Sequence, residues 1–96
     1  MPKILIYITK HGTWIFLFFG TDFNENRAHV HVGKKGMDEY CKIWLEPKIS
    51  VAKKGELTES QLKKILNVVE KHHSTLMKQW NKFKSGNDIK ILTVKE

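Results

Sequence analysis

Two histidines one residue apart, in a run that alternates them with valine, constrain this chain more than any other feature. Residues 27–47 read R-A-H-V-H-V-G-K-K-G-M-D-E-Y-C-K-I-W-L-E-P. Side chains of a strand alternate between faces, so His29 and His31 point one way and Val30 and Val32 the other. Gly33-Lys34-Lys35-Gly36 reads as a turn, because glycine supplies the positive φ that tight turns need. The return run, Tyr40 to Leu45, alternates as well. If burial sets the register, Val30 and Val32 share a core face with Cys41, Ile43 and Leu45. The opposite face then gathers His29, His31, Lys42 and Trp44, with Arg27 joining it if the strand begins early enough. Pro47 lacks an N–H and closes the strand.

The flanking sequence supplies more sheet before the hairpin and a covering helix after it. Lys3 to Thr9 reads as a strand with Ile4, Ile6 and Ile8 on one face, and Lys10-His11-Gly12 as a turn. Thr13 to Phe19 is apolar on both faces, with Trp14, Phe16 and Phe18 on one and Ile15, Leu17 and Phe19 on the other. Such a strand belongs in the middle of a sheet, covered above and below. With one long helix available, part of its second face needs another cover, either loops and the chain end or a partner protein or second copy. Gly20 to Arg27 is a polar loop. Its Asp22, Asn24 and Asn26 have the spacing that opens a calcium loop, but Arg27 and Gly33 stand where that motif needs glycine and glutamate. A plain turn is expected.

Lys48 to Ala52 reads as a short edge strand, ended by Lys53-Lys54-Gly55. Thr58 and Gln61 fit a capping box. A helix is expected from about Glu59 to Lys84, with Leu62, Ile65, Leu66, Val69, Leu76, Met77, Trp80 and Phe83 in one apolar stripe. His73 falls inside the stripe, as a core-edge histidine with one satisfied nitrogen, and His72 at its margin. Gly86 stops the helix. Residues 89–94 read as an extra edge strand, free to pair within the sheet or with another chain. The fold class is therefore α+β. A small antiparallel β-sheet of four to six strands packs against one long C-terminal α-helix, in a single domain over residues 1–96 (sheet 3–52, helix 59–84, extra strand 89–94).

Composition narrows the function classes. The lone cysteine, Cys41, is expected to face inward, which excludes a disulfide framework and fits a reducing compartment. No segment has the length of a transmembrane helix, and Ile4 to Ile8 is too short for a signal-peptide core. A cytoplasmic location with no membrane partner is expected. The net charge of +7 comes from sixteen lysines and a single arginine against ten acidic side chains, spread evenly along the chain. A lysine surplus suits backbone phosphate at best, since sequence readers use the planar fork of arginine. No glycine-rich phosphate loop or activated serine or cysteine motif is present, which disfavours nucleotide hydrolysis and acyl transfer. Nothing in the chain requires a cofactor.

The H-V-H-V run, the glycine turn and C-K-I-W-L-E-P together resemble the small bacterial proteins of the domain of unknown function 4160 family, with its P-P-H-V-H-V and A-K-F-W-L-E-P patterns. Met1-Pro2 with the apolar run behind it is similar to the start of that family. Leu76-Met77-Lys78-Gln79-Trp80-Asn81-Lys82-Phe83 is similar to its L-L-E-A-W-N-E-Y-F ending. The resemblance covers roughly residues 1–84. Arg27-Ala28 departs from the usual pair of prolines and puts a charge beside the histidines. Members of that family resemble parts of toxin–antitoxin-type gene pairs, which implies a context and no mechanism.

Three functions compete for the histidine pair, and whether the chain is an enzyme stays open among them. Favoured is a partner-binding component of a toxin–antitoxin-like pair acting near nucleic acid. Arg27, His29, His31, Lys42 and Trp44 would form the patch, gripping a protein partner or a second copy, with RNA or DNA as a further partner. The first alternative is a metal-independent ribonuclease-type toxin. His29 and His31 would be its acid and base, Arg27 and Lys42 would clamp phosphate, and Trp44 would stack a base. The second alternative is a transition-metal site on His29 and His31. It needs a third ligand, for which Asp22, Glu25, Glu39 and His11 are candidates and the spacing selects none.

Overall fold

The computed structural model describes residues 2–96, so Met1 of the expected start lies outside the described residues. The chain is a mixed α+β structure. Strands β1 (Lys3–Thr9), β2 (Gly12–Leu17), β3 (His29–Gly33), β4 (Cys41–Trp44), β5 (Ser50–Lys53) and β6 (Leu92–Lys95) form one six-stranded sheet. Their order is β5-β4-β3-β2-β1-β6. Helices α1 (Glu59–Lys71) and α2 (His73–Lys84) cover one face.

The alternation of the hairpin sets its register. His29 lies opposite Trp44, Val30 opposite Ile43, His31 opposite Lys42 and Val32 opposite Cys41. Val30, Val32, Cys41 and Ile43 are therefore on one side, and all four are fully buried. Pairing extends that side across the sheet through Phe16, Leu5 and the Trp14–Tyr7 pair. Ile65, Val69, Leu76 and Trp80 close it from the helices. Each large aliphatic side chain taken fully out of water contributes about 1.5–3 kcal/mol, so this layer holds the fold together.

Several expectations need correction. The helical stretch from Glu59 to Lys84 is two helices. At His72 the backbone turns to φ −110° and ψ 21°, although the N–H of His72 still reaches the Val68 carbonyl at 3.0 Å. The sheet is antiparallel except at one edge, where β6 runs parallel to β1. The helix end explains this direction. Lys84 donates to the Phe23 and Glu25 carbonyls, which places the end of α2 beside the loop that follows β2. That loop lies at the end of the sheet where β1 begins, since the Phe18 N–H donates to the Pro2 carbonyl. A chain entering β6 from there runs alongside β1. Gln79 fastens the crossing, donating to the Ile4 carbonyl at 3.2 Å and the Lys90 carbonyl at 2.8 Å.

In β1 it is Leu5 and Tyr7 that face the helices. A register shift between Lys3 and Leu5 buries Ile4 as well, while Ile6 is half-buried and Ile8 exposed. Gly33 belongs to β3 instead of a turn. Its missing side chain makes room for the Tyr40 ring, whose nearest atom would lie 2.7 Å from a Cβ there. The turn proper is at Gly36, with φ +92°. The capping box on α1 forms as expected, with Thr58 Oγ1 accepting from the Gln61 N–H and Gln61 Oε1 from the Thr58 N–H. Gly86, at φ +74°, follows the end of α2. Among the described residues no helix is long and apolar enough to cross a membrane.

Candidate metal centre

His29 and His31 do project from the side of the sheet opposite Val30 and Val32, and their rings meet edge to face at 5.2 Å. That side was expected to present Arg27, His29, His31, Lys42 and Trp44 as a binding patch. Instead the His29 side chain is wholly buried and the His31 side chain only 13 % exposed. Three pieces of chain close over them. The residues between β2 and β3 form a short 3-10 turn (Gly20–Asn24) that presents Asp22. Trp44 approaches His29 from the opposite strand at 5.4 Å, and Trp80 of α2 at 5.1 Å. Trp80 also meets Phe18 at 5.2 Å, so it seals the end of the sheet where the cluster sits. Phe19 caps His31 at 4.3 Å.

The result is a triad of Asp22, His29 and His31, whose donor atoms lie within 4.8 Å of one another. The two carboxylate oxygens divide between the rings. Oδ1 lies 3.1 Å from His29 Nε2, and Oδ2 lies 3.2 Å from His31 Nε2. These are hydrogen-bond lengths without hydrogen-bond alignment, and both Nε2 atoms are buried with no hydrogen-bond partner. His29 Nδ1 sits 2.9 Å from the Arg27 carbonyl oxygen. A carbonyl only accepts, so Nδ1 carries a proton, and Nε2 is the ring atom that faces the carboxylate. A cation between them, whether a proton or a metal ion, satisfies both groups.

Electrostatics point the same way. Burial works against the Asp22 charge. The Phe19 N–H, which donates to Oδ2 at 2.8 Å, and the two imidazoles outweigh it and hold the carboxyl below its ordinary range. Burial pushes the His31 pKa down, helped by His29 and Lys42 and opposed by Asp22. At neutral pH the pair is thus a carboxylate beside an uncharged imidazole, the forms in which both groups bind metals.

The W-L-E-P segment is the scaffold of this cluster. Trp44 backs His29. The Leu45 N–H donates to the Ala28 carbonyl, and the Leu45 carbonyl lies 2.6 Å from His73 Nε2. Glu46 Oε2 accepts from the Ala28 N–H at 2.9 Å, and the Glu46 carbonyl accepts from Arg27 Nε at 2.8 Å. These contacts fix the approach to His29 from outside the strand pairing. The Ala28 bond needs an N–H, which proline in that place would lack.

The residues singled out from sequence divide accordingly. His29 and His31 come together, and of the four candidates for a third ligand only Asp22 joins them; His11, Glu25 and Glu39 are exposed and lie outside the triad. Asp22 stands in a 3-10 turn and not in a calcium loop. Arg27 and Lys42 stack on Trp44, with Cζ at 4.0 Å and Nζ at 4.4 Å from the ring centroid, so that ring is already engaged by cations. His73 is half-buried on the Leu45 carbonyl, away from the triad. Cys41 faces the helices, and burial pushes its thiol up to about 11, which removes it as nucleophile or ligand. Asp22 was legible only as one acidic residue among several, because its role depends on the loop folding back over β3. Trp80 was legible only as a member of the helix stripe.

Beside His31 opens a cleft of about 400 Å³, lined by Phe19, Asp38, Glu39, Tyr40, Lys42 and Lys53. No curated protein and no solved structure matches the chain. The family model described as "Domain of unknown function (DUF4160)" matches residues 12–81, from the start of β2 into α2, and takes in the triad and its scaffold. The chain therefore belongs to the DUF4160 family.

Proposed function

We propose that the protein binds a divalent first-row transition metal through Asp22, His29 and His31. The observation that carries this is the pair of buried, unpartnered Nε2 atoms, each aimed at a different oxygen of one carboxylate. Donors sharing a metal at about 2.1 Å lie roughly 3.0–3.4 Å apart, and both nitrogen–oxygen separations fall in that window. Ligating histidines as a rule donate their second ring N–H to a carbonyl or carboxylate, which His29 does at Arg27. Two imidazoles and one carboxylate suit iron(II), manganese(II), cobalt(II) or zinc. Calcium and magnesium ask for oxygen ligands throughout. Three protein donors leave at least one coordination position for water or an outside ligand, the arrangement of reactive rather than purely structural sites.

The metal reading accounts for the burial of His29 better than the two readings favoured by the sequence alone. A general acid must touch the group it protonates, and a ring with no exposed surface cannot reach a substrate directly. A partner-binding patch has no need of a carboxylate and two imidazoles enclosed together beneath it. Through a metal, a buried ring still contributes to chemistry at the surface.

The test uses untagged protein stripped with a chelator and then titrated with cobalt(II) or zinc. One equivalent is expected to bind. Asp22→Asn keeps an oxygen for the Phe19 N–H but removes the charge, and should weaken binding about 10–100-fold or more. Uptake well below one equivalent, or equal uptake by Asp22→Asn and wild type, would overturn the proposal.

A further inference from the structure

The two edges of the sheet are not alike. β6 pairs with β1 alone, so its other side is an open edge. Hydrogen bonds near both ends of the strand fix which backbone groups face outward. The Glu96 N–H donates to the Ile8 carbonyl at 2.8 Å, and the Lys90 carbonyl accepts from Gln79 Nε2 at 2.8 Å. Backbone groups of successive strand residues alternate in direction. Lys90, Leu92, Val94 and Glu96 therefore turn theirs inward, and the N–H and C=O groups of Ile91, Thr93 and Lys95 turn away from the sheet. Such a row of unpaired groups is a template for another strand. The apolar side chains along it are open as well, with Ile91 50 % and Leu92 36 % exposed. β5, at the other edge, is bracketed by Lys48, Lys53 and Lys54 with no acidic residue among them, a charge pattern that repels its own copy.

The chain through β6 reads I-K-I-L-T-V-K-E over residues 89–96. Antiparallel self-pairing about a two-fold axis must set outward-facing residues opposite one another, which leaves the axis at Leu92, Thr93 or Val94. With the axis at Leu92, Glu96 meets Asp88 of the other copy and like charges repel. With the axis at Val94, Leu92 meets Glu96. With the axis at Thr93, Lys90 meets Glu96 at both ends, Leu92 meets Val94 on both sides of the axis, and Thr93 meets its own copy. Charge complementarity and apolar matching select this last register. We infer that the open edge of β6 takes a second copy of this chain, paired antiparallel about Thr93, so that one sheet runs through both copies. Lys64 and Tyr7 hold the Glu96 carboxylate at the edge, through Oε2 at 3.4 and 3.5 Å. On the other face Lys95 has Ile8 beside it on β1 and Ile91 of the second copy beyond it, so its aliphatic stem lies between two isoleucines. The metal site is on β3, beyond β1 and β2, and plays no part in this contact.

Sedimentation velocity of the untagged, chelator-treated chain tests this. An edge contact is small and reversible, so dimer should dominate at about 300 μM and monomer at about 3 μM. Thr93→Pro removes an outward N–H and no bond inside the sheet, as proline on an edge strand does. It should weaken association about tenfold or more, with an unchanged circular dichroism spectrum. Thr93→Cys sets two thiols across the axis, where facing Cα atoms lie about 5.5 Å apart, within reach of a disulfide. Under mild oxidation it should cross-link into a covalent dimer, and Lys95→Cys, which faces Ile91, should do so severalfold more slowly. Cys41 is buried and does not compete. Wild type that stays monomeric at about 300 μM overturns the inference. So does a folded Thr93→Pro that dimerises as tightly as wild type, which would place the contact on another surface or with another register. Cross-linking no faster at position 93 than at position 95 overturns it as well, and decides the matter if the proline variant does not fold.

Discussion

On the side of the sheet that faces the helices, the residues that paired strands contribute are apolar: Leu5, Tyr7, Trp14, Phe16, Val30, Val32, Cys41 and Ile43, all buried. On the other side the strands carry a gradient. At β1 and β2 it is apolar and partly open, with Ile6 and Ile15 half-buried and Ile8 37 % exposed. At β3 to β5 it becomes His29, His31, Lys42 and Lys53, and there the most buried group is an imidazole. The two sides are covered by different means. Regular helices with a matching apolar stripe cover one. A 3-10 turn, Trp44 and Trp80 cover the polar end of the other. Hydrophobic burial accounts for the first side entirely. It does not account for the second, where a carboxylate and two ring nitrogens are enclosed at a cost that apolar residues would avoid. The contrast separates the part of the molecule that makes it fold from the part that gives it chemistry.

The largest expected effect lies on the helix side. Leu76 is fully buried on α2 against the sheet. Leu76→Ala should lower stability by about 2–5 kcal/mol in urea denaturation, from lost burial and the cavity left behind. Metal should leave that loss unchanged, because the cavity lies on the opposite side from the triad. A loss under about 1 kcal/mol would mean that the helices do not carry the fold, and the contrast between the two sides would collapse.

The second effect belongs to the site. Zinc at a hundredfold over its dissociation constant should stabilise the protein by about 2.7 kcal/mol. For a chain of this size the melting temperature then rises by roughly 10–20 °C. Asp22→Asn should abolish most of that rise. Metal-free Asp22→Asn should stay within about 1 kcal/mol of metal-free wild type, since the carboxylate makes one well-aligned bond, to Phe19, that asparagine retains. If the variant is strongly destabilised without metal, the triad serves folding and the two sides differ less than proposed.

The helix side was legible in the sequence because period alone determines it. Alternation in β3 and β4 placed Val30, Val32, Cys41 and Ile43 together, and the three- and four-residue spacing of Ile65, Val69, Leu76 and Trp80 produced the matching stripe. The direction of β6 and the break at His72 were not legible. The first depends on where α2 ends in space, and the second on one residue's backbone inside an otherwise continuous pattern. On the site side, alternation put His29 and His31 on a common face but said nothing of depth. Burial there depends on Asp22, seven residues upstream in a polar loop, and on Trp80, some fifty residues downstream. Neither contact has a period. The selection of Asp22 over Glu25, Glu39 and His11 required the loop to fold back, which residue spacing cannot encode.

The smallest effect sharpens the gradient within the second side. Ile8 projects from the same face as the histidines but at the apolar end, and neither helix covers it. Removing a partly exposed isoleucine forfeits a fraction of its transfer free energy. Ile8→Ala should therefore cost about 1 kcal/mol, well below Leu76→Ala, and independently of protein concentration. That result would leave the apolar end as ordinary open surface and confine function to β3, β4 and β5. A cost of about 2–4 kcal/mol that grows with concentration, with a larger hydrodynamic radius for wild type than for the variant, would give the opposite picture. A second copy would then bury Ile6, Ile8 and Ile15 in solution, and the face that the helices leave uncovered would hold an interface at one end and a metal at the other.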